Sequence, residues 1–145
     1  MVDALQEIWC ALASDGTLID LRPVPSQCPI EVVTPGSIVH VGEADASGMA
    51  ADDEAADRAI RDAVEQGWFV LRRDTRFDFD FYWDSVHEKA SFIDGSIRMK
   101  QAVPSYADLE KVHRDLSTRA QGVARIRCRR QTMLAVYCKA SIETL

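Results

Sequence analysis

The chain has 145 residues, 47% of them hydrophobic and 28% charged, with a net charge of −6. That length and composition suit one globular domain with a single core, and the acidic balance argues against a general nucleic-acid binder, whose phosphate contacts need a basic surface. No run of about 18 apolar residues is present, so no membrane span is expected.

Further exclusions follow from local composition. The N-terminus lacks a basic segment and carries Asp3 and Glu7 inside a helical pattern, unlike a signal peptide. Cys10, Cys28, Cys128 and Cys138 form no C-x-x-C pair and are expected to be reduced, small hydrophobic fillers in a cytoplasmic protein. Charge is unevenly placed: Glu43 to Glu65 holds eight acids against two arginines, whereas Arg119 to Arg130 holds five arginines and no acid.

In chain order, Val2, Leu5, Ile8, Trp9 and Leu12 recur at helical spacing, and Gly16 follows as a helix-stopping glycine would. Leu18, Ile19 and Leu21 form a short strand ended by Pro23. Arg22 to Pro29, with three prolines, is expected to be an extended loop. Ile30 to Val33 and Ile38 to Val41 flank Pro35-Gly36, which predicts a hairpin through a type II turn. Gly42 to Met49 is expected to be a mobile polar loop. Ala50 to Gln66 predicts a helix with a narrow stripe of Ala56, Ala59, Ile60, Ala63 and Val64, stopped by Gly67.

Trp68 to Leu71 reads as a short extended piece closed by Arg72-Arg73-Asp74. Phe77, Phe79 and Phe81 alternate with Asp78 and Asp80 as in a strand; from Asp80, the spacing of Tyr82, Val86, Ala90 and Ile93 predicts a helix ending at Gly95. Pro104 and Ser105 open another helix, with Ser105 and Asp108 placed as a capping box and Leu109, Val112 and Leu116 as its buried stripe. Two final strands are expected, Val123 to Arg130 and Thr132 to Lys139, paired through a tight turn at Arg130-Gln131. The first has a wet arginine face of Arg125, Arg127 and Arg129, facing solvent or pairing with the acidic helix. The second, apolar on both faces, reads as a central strand covered on both sides.

The run from the first helix through Gly16 and T-L-I-D-L-R-P, then a helical insertion, then R-I-R-C-R-R-Q-T-M-L-A-V-Y, resembles the C-terminal half of a class I S-adenosylmethionine-dependent methyltransferase. The resemblance implies an α/β fold with a small mixed sheet, built from the first strand and an antiparallel C-terminal hairpin, with helices packed on it. It implies a single domain, 1–145, carrying residues 24–104 as an inserted hairpin and helical region. The final strand would lie antiparallel between two others, next to Leu18 to Leu21.

The family's glycine-rich turn and its ribose-binding acid belong to the half that is missing from this chain, so no cofactor and no catalytic residue is assigned. With its usual neighbour absent, the first strand would present an apolar edge, which implies a homo-oligomer, a dimer first of all, meeting there or across the first helix.

The one dense polar and aromatic group is Tyr82, Trp83, Asp84, His87 and Glu88. On a helix these would form a compact face able to stack a small molecule and meet a cation, against the plainer reading of aromatics in the core and acids in water. His40, His87 and His113 have no ligand spacing for a metal, and His113 fits a hydrogen-bonded core-edge position. The resulting expectation is a non-enzymatic, methyltransferase-derived module that self-associates and binds a small molecule or a protein, with no nucleic-acid or membrane partner. Two alternatives stand beside it: one subunit of a split methyltransferase, and an unrelated small α+β binding protein.

Overall fold

The computed structural model describes residues 2–24, 26–45, 47–94, 100–103 and 105–140. The fold is α/β, four α-helices and an antiparallel sheet on which they pack. In order the elements are α1 (Val2–Ala11), β1 (Thr17–Pro23), β2 (Gln27–Thr34), β3 (Ser37–Asp45), α2 (Ala50–Glu65), β4 (Phe69–Trp83), α3 (Val86–Asp94), β5 (Lys100–Val103), α4 (Tyr106–Arg119) and β6 (Arg125–Lys139). Strand order is β1-β6-β2-β3-β5, and β4 also pairs with β6. The chain divides into two compact units, one of residues 1–24, 50–77 and 132–145 and the other of 25–49 and 78–131.

In the first unit β1 runs antiparallel to β6, with Ile19 opposite Val136 and Leu21 opposite Leu134. Alternation along a strand sends Leu18, Asp20 and Arg22 to one face and Ile19 and Leu21 to the other. The first face meets α1 and α2 through a core of Leu5, Ala59, Ala63, Phe69, Ala135 and Tyr137. Helix α2 ends as its glycine predicts: Gly67 has φ +75°, its N–H donates to Val64 O, and Trp68 N–H donates to Ala63 O. That pair of bonds closes a Schellman motif. Gly16 serves differently. Helix α1 stops five residues earlier, and a Cβ at Gly16 would lie 2.8 Å from Leu12 Cβ and 2.9 Å from Ala13 O. Close approach of the chain, not a left-handed cap, demands this glycine.

In the second unit β2 lies between β3 and the first half of β6, with Ile30 opposite Cys128 and Val32 opposite Ile126. Cys28, Ile30, Val32, Ala44, Leu109 and Ile126 are buried there, with Leu109 brought in by α4. Ser105 caps α4 as its spacing predicts: its Oγ accepts from Asp108 N at 3.3 Å and donates to the Asp108 carboxylate at 2.8 Å.

Several expected boundaries move. The hairpin forms, but Gly36 does not take a positive φ, so the turn is not type II; Thr34 Oγ1 accepts from Ser37 N at 3.1 Å and ties its ends. Much of the proline loop is strand, with Pro29 paired to Glu43. Gly42 to Asp45 continues β3, and Ala44 is fully buried. The charged Arg72-Arg73-Asp74 does not close a strand but lies within the 15 residues of β4, which runs on to Trp83 where a helix was expected. The two C-terminal runs form one continuous strand of 15 residues, without a turn at Arg130-Gln131. Gly95 and Pro104, the expected end of one helix and start of the next, lie outside the described residues.

Candidate functional site

The five residues singled out from sequence divide among three local structures. Tyr82 and Trp83 end β4, Asp84 lies in a bend, and His87 and Glu88 stand on α3. Strand alternation separates the two aromatics. Trp83 packs with Phe81 and Phe92, at 6.1 and 5.3 Å between ring centroids, against the buried core of the second unit. The exposed ring of Tyr82 lies under the Arg125 guanidinium, 5.0 Å from its centroid. Asp84 accepts from Arg125 Nε at 2.7 Å. Glu88 caps the helix: its carboxylate accepts from Asp84 N at 3.0 Å, and its own N–H donates to Ser85 Oγ. His87 is exposed. The sequence S-V-H-E at residues 85–88, a capping box, is the signal that marks this helix start.

The same region explains the two charge patterns. Arg125, Arg127 and Arg129 meet neither the acidic helix nor open water as a row. Arg127, only 8% exposed, donates to Glu31 Oε2 at 2.6 and 2.7 Å and lies 3.6 Å from Asp80. Arg129 pairs with Asp80 at 3.0 Å and Arg125 with Asp84. The acids alternating with phenylalanine are thus cross-strand partners of the arginines of β6. Hydrogen bonding and nearby carboxylates raise Arg127 and Arg129 above their ordinary pKa, against the opposing cost of burial at Arg127.

Cys28 and Cys128 are buried in this unit and free, and the coupling of the two thiols draws Cys28 down and pushes Cys128 up. His113 Nε2 lies 3.2 Å from Ala124 O, a hydrogen-bonded core edge as expected. Among the described residues no group of three His, Cys, Asp or Glu is placed to hold a metal ion, and no helix is long and apolar enough to cross a membrane.

Sequence reasoning missed a site in the first unit. Arg22 Nε and Nη2 donate to the two oxygens of Asp20, each at 2.8 Å, while Nη2 also donates to Asp57 at 2.6 Å and Nη1 to Asp53 O at 3.0 Å. This fork holds β1 to α2 and raises Arg22 well above its ordinary range, chiefly through Asp20. Beside it opens a cavity of about 420 Å³. Its apolar wall is Ile60, Val64, Leu71, Met133 and Ala135; its polar groups are Arg22, Asp57, Arg61, Glu65, Asp74 and Tyr137. These polar residues come from four separate elements, so no local pattern announces them.

The opposite face of the β1–β6 ladder differs in kind. Ile19 and Leu21 are 61% and 57% exposed, beside the half-buried Leu134 and Val136. The strand expected to be covered on both sides is covered by helices on one. Among the described residues β6 is the only neighbour of β1, so one edge of β1 is open. No family model matches the chain, and neither a curated protein nor a solved structure matches it.

Proposed function

We propose that this chain is a methyltransferase-derived module that works by self-association, two copies meeting along β1. The observation that carries this reading is the state of that edge. Natural edge strands are guarded by outward charges, bulges or prolines. Here the two charged residues of β1, Asp20 and Arg22, lie on the helix-bearing face and are locked to each other and to α2. What remains outward is Ile19 and Leu21 on a regular seven-residue strand whose proline is its last residue. A strand edge is its own complement about a two-fold axis, so a second copy fits it without further design. The pairing of β6 with β1 is the part of the family arrangement that supports the same reading.

Light scattering at ~100 µM chain, where mass action favours even weak dimers, is expected to give twice the 16.2 kDa chain mass. Ile19→Lys and Leu21→Lys, at exposed positions that folding does not need, are expected to return the monomer. A monomeric wild type would refute the proposal. Calorimetry with S-adenosylmethionine is expected to show no heat for this chain, and tight binding would refute the argument from the absent glycine turn.

A further inference from the structure

The cavity beside Arg22 has the volume and mixed lining of a small-ligand site. Two observations specify what it would hold. Tyr137 is 9% exposed, its ring built into the core, yet its hydroxyl has no hydrogen-bond partner among the described residues. Burial and the charges of Asp20, Asp74 and Asp57, opposed by Arg22, raise its pKa, so the hydroxyl is neutral and feels the carboxylates of the cavity wall. The hydroxyl opens on the cavity with no protein group among the described residues bonded to it, so it is free to accept a hydrogen bond from a ligand.

The second observation is the charge balance of the wall. The Arg22 guanidinium is consumed by Asp20 and Asp57. Glu65 and Asp74 make no ion pair among the described residues, and against them stands Arg61 alone, exposed on α2. An anion would meet two carboxylates against one arginine. A cation would meet those carboxylates and the lone pairs of Tyr137, while Ile60, Val64, Leu71 and Met133 offer dry surface to a hydrocarbon body.

We infer that this cavity is a binding site for a small amphiphilic amine, its ammonium donating to Tyr137 Oη and to Asp74 or Glu65 and its apolar body lying on Ile60, Val64, Leu71 and Met133. The inference goes beyond self-association and does not depend on it, since every residue used lies on the helix-bearing side of β1 and β6.

The test uses tryptamine and, as its anionic counterpart of similar shape, indole-3-propionate. Binding is followed by NMR of tyrosine-labelled protein, with the Tyr137 ring signal assigned by its loss in Tyr137→Phe. Tryptamine is expected to shift that signal saturably, with a dissociation constant of about 0.1–2 mM for a ligand of its size. Indole-3-propionate is expected to bind at least about tenfold more weakly.

Asp74→Asn and Glu65→Gln, at exposed positions, are expected to weaken tryptamine by up to about tenfold together, and Tyr137→Phe by about threefold. Equal binding of the two probes, no saturable shift, or affinity indifferent to all three substitutions would each overturn the inference. Repeating the titration with Leu21→Lys separates this outcome from that of the association experiment.

Discussion

Replacing Arg127 with methionine tests how the second unit holds its charges. The arginine is 8% exposed, and Glu31, whose side chain is 15% exposed, has its Oε2 at 2.6 Å from Nη2 and 2.7 Å from Nε. Breaking a buried ion pair by removing one partner costs about 3–5 kcal/mol, because the other charge is left without compensation. Here Asp80 keeps Arg129 at 3.0 Å, so the orphan is Glu31, and its residual exposure places the cost near the low end, at about 3 kcal/mol.

With a urea slope of about 2 kcal/mol/M, the midpoint is expected to fall by about 1.5 M in equilibrium unfolding followed by circular dichroism. Replacing both partners, Glu31→Leu with Arg127→Met, removes the orphan and is expected to return stability to within about 1 kcal/mol of wild type. A single substitution costing under about 1 kcal/mol, or a double no better than the single, would refute the claim that this pair is internally compensated.

Three further outcomes are expected. Gly16→Ala should lower the melting temperature by about 5 °C, since its Cβ would strike Leu12 Cβ at 2.8 Å and the Ala13 carbonyl, while Gly36→Ala, with nothing within 4 Å and no positive φ, should be neutral or slightly stabilising by differential scanning calorimetry. Ser105→Ala should cost about 1 kcal/mol in urea unfolding by removing the cap of α4.

Tyr137 should ionise above the ordinary tyrosine value when absorbance at alkaline pH is followed and compared with Tyr137→Phe. Its folded pKa lies above the ordinary value of 10, so the folded state keeps a proton that the unfolded state sheds, and stability should fall as pH rises through that value, less steeply in Tyr137→Phe.

What could be read from sequence was local. The first helix, the β2–β3 hairpin, the Gly67 stop and the Ser105 cap each depend on residues within a few positions of one another, and each was found. The pairing of Leu18 to Leu21 with Leu134 to Tyr137 was reached only through a family resemblance. The alternating acids of β4 read only as strand periodicity and the alternating arginines of β6 as a wet face, because a charged position read alone is indistinguishable from a solvated one. Only when the strands lie side by side do Asp80 and Arg129 cancel, and no single-strand pattern contains that information.

The candidate group at residues 82–88 was read onto a helix begun at Asp80, six residues before α3 starts, which put Trp83 and His87 on a common face. The cavity of Arg22, Asp57, Asp74 and Tyr137 was invisible because its parts are scattered along the chain.

The pairing of Thr17 with Cys138 has a consequence for biosynthesis. At ordinary ribosomal speeds, on the order of ten seconds separates emergence of the first strand from that of its partner β6. Throughout that interval Ile19 and Leu21 sit on a nascent segment with nothing to zip onto, ready substrate for a holdase or for a sister chain on the same message. Stop codons or ribosome stalls shortly before residue 132 should therefore yield insoluble product.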